Sequence, residues 1–173
     1  MYAHTFSTAP LAIPHQLEAW RGWYDTVFDV APATEPDGPF VATNATWNLR
    51  GVTLSRVTSP ANTVSRSRSV IRRNAVDHWV VTLSRKTVTR LVTLGTPLEI
   101  EPGTPFILSF GDQSLIERES EDDRLQLILA RDNFQAIAPL LDGARGIALE
   151  PAGARMLADY MTVLDQQIPS LEP

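Results

Sequence analysis

Apolar and polar positions alternate with two different periods along this chain, and each change of period marks a change of structure. Leu17, Trp20, Tyr24, Val27 and Phe28 recur at helical spacing, which predicts an amphipathic helix over about 14–30. Ala31 to Pro39 then carries Pro32, Pro36, Gly38 and Pro39, a loop that ends the helix. From Thr46 to Leu129 the period is two. Trp47 and Leu49 alternate with polar residues, Gly51 interrupts where a bulge fits, and Val52, Leu54 and Val57 resume the pattern. Further strands are expected at Val64 to Ile71, Trp79 to Leu83, Val88 to Leu94, Leu98 to Ile100, Phe106 to Phe110, Leu115 to Glu119 and Leu125 to Leu129. About eight strands at this spacing read as a barrel or sandwich, mainly β with flanking helices.

After Leu129 the helical period returns, with Asp132 as a candidate N-cap and Phe134, Ile137, Leu140 and Leu141 along one face. The run Asp142 to Gly146 breaks that helix, and Glu150-Pro151 opens a final one. Its stripe of Met156, Leu157, Tyr160, Val163, Leu164 and Ile168 is wider than one small barrel needs, which leaves part of it for a partner. The reading is thus one domain over 1–173: a helix, a barrel over about 40–130, and two helices over about 131–168.

Closing the sheet would aim Trp47, Trp79 and Val81 into one enclosed volume, which is how small barrels make ligand cavities; these residues would equally serve as plain core. Arg66 and Arg68 share the parity of Val64 and Val70, so if that face points inward an arginine enters an otherwise apolar volume. A buried guanidinium needs an acceptor: a ligand carboxylate serves, and so does an internal Asp or Glu. Among small ligands, arginines beside aromatic rings point to a carboxylate.

Composition narrows the chemistry. The 173 residues are 43% hydrophobic and 20% charged with a net charge of −5, the balance of a water-soluble domain and not of one that grips nucleic acid. No membrane span or signal peptide is evident and there is no cysteine, so the cytoplasm is the expected compartment. His4, His15 and His78 lie far apart without metal-ligand spacing, so no metal or cofactor is expected. No G-x-S-x-G elbow supports a nucleophilic serine. Glu99/Glu101 and Glu117/Glu119 fit a charged outer strand face better than acid–base chemistry, and the glycines are isolated turn residues. No catalytic residue is named, and the chain is expected not to be an enzyme.

The segments Leu17-Glu-Ala-Trp20, Trp47-Asn-Leu-Arg-Gly51-Val-Thr-Leu, Val64-Ser-Arg66-Ser, Ile71-Arg-Arg-Asn-Ala-Val-Asp77-His-Trp79-Val-Val-Thr-Leu83, Ile100-Glu-Pro-Gly103, Leu125-Gln-Leu-Ile-Leu-Ala-Arg131 and Gly153-Ala-Arg-Met-Leu-Ala-Asp-Tyr160 span nearly the whole chain. In that order and spacing the chain resembles the N-terminal regulatory domain of AraC/XylS-type transcriptional regulators. It departs from them at Arg85-Lys86, where such domains often place a hairpin glycine. The resemblance implies a cupin-like β-barrel (a jelly roll) with an N-terminal helix and two C-terminal helices. It also implies a small-molecule effector in the barrel, for which the strand faces make Trp47, Arg66, Arg68, Trp79 and Val81 the candidates, and a homodimer through the helices, for which the stripe offers Met156, Leu157, Tyr160 and Leu164. DNA contacts would fall to helix-turn-helix motifs beyond Pro173. A metal-free cupin-like enzyme and a solid β-barrel interaction module are the alternatives.

Overall fold

The period-two stretch folds into two antiparallel sheets that face each other. The computed structural model describes residues 3–33, 38–147 and 149–168. The strands are β1 (His4–Ser7), β2 (Asp29–Pro32), β3 (Thr43–Asn48), β4 (Val52–Ser59), β5 (Asn62–Arg66), β6 (His78–Ser84), β7 (Thr89–Thr93), β8 (Thr96–Ile100), β9 (Pro105–Ser109), β10 (Ser114–Arg118) and β11 (Asp122–Ala130). The α-helices are α1 (Ile13–Tyr24), α2 (Arg68–Arg73), α3 (Ala138–Gly143) and α4 (Pro151–Gln167). One sheet runs β1-β3-β4-β11-β6-β9 and the other β2-β5-β10-β7-β8. This is the expected cupin-like jelly roll with helices at both ends. None of the described helices is long and apolar enough to cross a membrane.

Two cores hold it together. Val30, Val57, Val64, Val80, Leu91, Ile100, Phe106, Leu108 and Ile116 fill the space between the sheets, together with Trp20 of α1 and the nearby Phe28. Trp20 is fully buried and meets Tyr24 edge-on at 5.0 Å, while Phe28 meets Phe110 edge-on at 5.4 Å. Truncating a ring buried like Trp20 costs about 3–5 kcal/mol, so α1 is part of the barrel's filling. The second core lies on the outer face of the larger sheet: Trp47, Leu54, Val81, Leu83, Ile107, Leu125 and Leu127 pack with Met161 and Ile168 at the C-terminal end of the chain.

Several local expectations are corrected. Helix α1 stops at Tyr24, and Asp29–Pro32, expected as helix end and loop, pairs with β5 as a strand; Pro36 of the expected loop lies outside the described residues. Gly51 is not a bulge. With Arg50 it makes the tight β3–β4 turn, both residues having positive φ (58° and 103°), as a two-residue hairpin requires. A Cβ on Gly51 would also collide with the Asn133 side chain. Asp132 caps no α-helix: Arg131–Asn133 and Gln135–Ile137 are 3-10 turns, and the helix itself is only Ala138–Gly143. Glu150 does cap α4, its carboxylate accepting from the Ala152 and Gly153 amides at 3.1 and 3.0 Å, with Pro151 in the first turn.

Candidate functional site

The residues expected to line the barrel are divided between three places. On β6, Val80, Thr82 and Ser84 point between the sheets, so Trp79, Val81 and Leu83 point the other way. Trp47 and Val81 therefore lie in the outer core with Met161 and Ile168. Trp79 donates from Nε1 to Asp142 Oδ1 at 2.9 Å, and the Arg131 guanidinium stacks on its ring at 3.9 Å. Arg131 is also tied to Asp77 at 2.8 Å and to Asp142 at 3.1 Å, which fastens the α3 region to the barrel. None of these three side chains reaches the enclosed volume, because the covered outer face of this sheet is its more apolar one.

Arg68 is also corrected. The strand expected to run to Ile71 ends at Arg66, because the Ser67 hydroxyl accepts from the Val70 amide and starts α2; Arg68 is exposed at the first position of that helix. Arg66 does point inward and is buried. Its acceptors are backbone carbonyls: Nε donates to Phe110, Nη1 to Val27 at 2.6 Å, and Nη2 to Asn74 and Val76 at 2.9 and 3.2 Å. Neither a ligand carboxylate nor an internal acid is needed, and Arg66 is a staple joining four segments of chain. On α4, Met156 and Tyr160 are exposed with Val163, whereas Leu157 and Leu164 lean on the outer core.

The opposite end of the barrel interior carries a charge cluster that the sequence reading did not single out. Arg118 on β10 and Asp122 and Arg124 on β11 are all buried. Asp122 Oδ1 accepts from the Ser84 hydroxyl at 2.7 Å, and Arg124 Nη1 donates to the Ser59 hydroxyl at 3.0 Å. Asp122 Oδ2 lies 3.1 Å from Arg118 Nε and 3.9 Å from Arg124 Nη1. Arg118 Nε and Asp122 Oδ2 thus face each other as an ion pair outside good hydrogen-bond geometry, and the buried Asn62 Oδ1 and Thr89 Oγ1 have no hydrogen bond. Buried polar groups satisfied this imperfectly cost free energy that a bound partner would recover.

The electrostatics point the same way. Two guanidiniums share one carboxylate, so the cluster holds an excess positive charge. Burial, reinforced by the neighbouring Arg124 cation, pushes Arg118 down to about 9, still cationic at neutral pH. Burial also pushes the Tyr24 hydroxyl up, and that hydroxyl accepts from Asn44 Nδ2 at 2.8 Å. Between the cluster and α1 lies a void of about 20 Å³ lined by Trp20, Tyr24, Phe28, Val64, Arg118 and Arg124, among others. That is room for one water. The hollow interior expected from the sequence is therefore nearly filled in this conformation, largely by the rings of α1 and Phe28. One clue was available: Arg118 has the parity of Ile116, between two glutamates already assigned to the outer face.

Searches against protein-family models and curated proteins gave no match. Among solved structures, the AraC-like transcriptional activator CuxR superposes with a TM-score of 0.87 at 23% identity, over 99% of this chain and 63% of that one. The chain thus has the fold of that activator's matched part and spans somewhat under two thirds of its length. Ectoine synthase from P. lautus (TM-score 0.40, 11% identity, 51% of this chain and 64% of that one) and a Cupin 2 conserved barrel domain protein from Salinispora arenicola (0.39, 8%, 65% and 83%) match more loosely.

Proposed function

We propose that this chain is the effector-sensing and dimerisation domain of a cytoplasmic AraC-type transcriptional regulator, and that its effector is a small organic carboxylate. DNA contacts belong to helix-turn-helix motifs following the domain. The likeness to an AraC-like activator along 99% of the chain supports the class, and agrees with the order of sequence motifs quoted above. One observation supports the site: a buried pair of arginines shares a single aspartate beside a wall of aromatic rings. A carboxylate would neutralise the excess charge and accept from guanidiniums that now share one aspartate, and an aliphatic or aromatic body would replace the rings of α1. Because the interior is nearly filled, binding would have to displace α1, making that helix the moving part. The exposed Met156, Tyr160 and Val163 face of α4 would meet a second copy, with Leu157 and Leu164 supporting it from below.

A panel of small aromatic and aliphatic carboxylates, scored by the shift in thermal unfolding, tests this reading. At least one member should raise the midpoint in the wild type and lose most of that effect in Arg124→Met. A panel without any such member, including the acids that purify with the protein, would leave the solid interaction module as the better reading; the 20 Å³ void already favours it. Dimerisation is tested by sedimentation, where Tyr160→Asp should shift the population toward monomer and a wild type monomeric at high concentration would refute it.

A further inference from the structure

We infer that the run Asp122-Asp123-Arg124 is a two-sided joint through which the charge balance inside the barrel sets how firmly the end of α4 is seated. Successive residues of a strand face opposite sides of its sheet. Here each side carries an ionic contact. On the inner side, Asp122 is bound by Ser84 and faces Arg118, and Arg124 is bound by Ser59. On the outer side, Asp123 Oδ1 accepts from Arg85 Nη2 at 2.7 Å, and Arg85 Nη1 donates to Asp165 Oδ2 of α4 at 2.9 Å. Arg56 of β4 completes a quartet, lying 3.7 Å from Asp165 and 3.8 Å from Asp123.

The two sides share their backbone. Ser84 and Arg85 are consecutive, as are Asp122 and Asp123, and the Arg85 amide donates to the Asp123 carbonyl at 3.0 Å. A shift of Asp122 toward or away from the inner arginines therefore carries Asp123 with it and changes the grip of Arg85 on α4. The helix is sensitive to that grip. Asp165 is an acid in the last turns of α4, where the carbonyl ends of the helix disfavour negative charge, and no basic residue of that turn offsets it. It is also buried, and its Oδ1 has no hydrogen bond. What holds the carboxylate there is Arg85 and Arg56, both outside the helix. Asp122, Asp123, Arg124, Ser84 and Arg85 are thus positioning residues for α4, the helix expected to carry the dimer contact.

This joint deepens the sensor reading and rests on it for its purpose, but its test needs no effector. Hydrogen exchange along the full chain would be followed for wild type, Asp122→Asn, Asp165→Asn and the double variant. Asp122→Asn touches nothing on α4, yet it should speed exchange at 161–168 by at least about fivefold, the low end of coupling between distinct protein sites. Asp165→Asn should do the same directly, and the double variant should exchange no faster than the faster single. Unchanged exchange at 161–168 in Asp122→Asn, or effects that multiply in the double variant, would overturn the joint. Should Asp122→Asn fail to fold, Ser84→Ala removes the hydrogen bonds of that hydroxyl to Asp122 and to the Thr87 carbonyl, leaves both carboxylates in place, and is read by the same peptide. A carboxylate that binds while α4 ignores Asp122 would sink the joint and leave the sensor standing; coupling with no carboxylate found would do the reverse.

Discussion

Arg66 and Arg118 are both buried, both point between the sheets, and sit on neighbouring strands about 13 Å apart along the strand direction. Their surroundings differ completely. Arg66 is consumed by four backbone carbonyls from three other segments, fixed dipoles that ask nothing further of it. Arg118 faces a carboxylate it meets at a poor angle, in competition with a second cation. A buried charge that the fold satisfies by itself is architecture, whereas one left short of acceptors is capacity held in reserve. The arginine end chosen from sequence parity is the architectural one.

The largest effect should come from Arg66→Met, which strands several buried carbonyls at once. We expect a loss of about 3–5 kcal/mol, read from the denaturant midpoint. Arg118→Met should cost far less, since Arg124 remains to balance Asp122 and the buried cation it removes carried its own desolvation penalty: a change within about 1 kcal/mol. Equal losses in the two variants would erase the contrast. The smallest effect concerns a third, less buried arginine. Arg131 and the Trp79 indole hold the Asp142 carboxyl below the ordinary carboxylate range. The stabilisation is present above that range and is lost as pH falls through the lowered value. Acid titration should therefore release the α3 region, seen as a change in Trp79 emission that is absent in Asp142→Asn and in Trp79→Phe.

The period-two pattern placed most of the barrel strands within a few residues, because alternation survives wherever one face is more apolar than the other. It could not say which face was inside. In the larger sheet both faces are covered, one by the opposing sheet and one by α4, and the barrel-facing side carries Thr82, Ser84, Asp122, Arg124 and Gln126. Placing apolar side chains inward therefore sent Trp79 and Val81 to the wrong side. Arg68 failed for a local reason: Ser67 offers a helix cap, and the run after it has both helical and strand periodicity. The helices α1 and α4 were legible from their stripes. The weaker helix after Leu129 was placed too early, since the 3-10 turns before it have no hydrophobic signature of their own.

The order of strands has a further consequence, for synthesis. β11 is the last strand of either sheet to leave the ribosome, yet it lies in the middle of the larger one, hydrogen-bonded to β4 on one side and β6 on the other. A nascent chain that ends before Asp122 presents two long unpaired edges flanked by half-formed apolar faces, a template for sticking to its neighbours. Chains halted at that point should aggregate or recruit chaperones more than chains that also carry β11 and the α4 that covers its sheet.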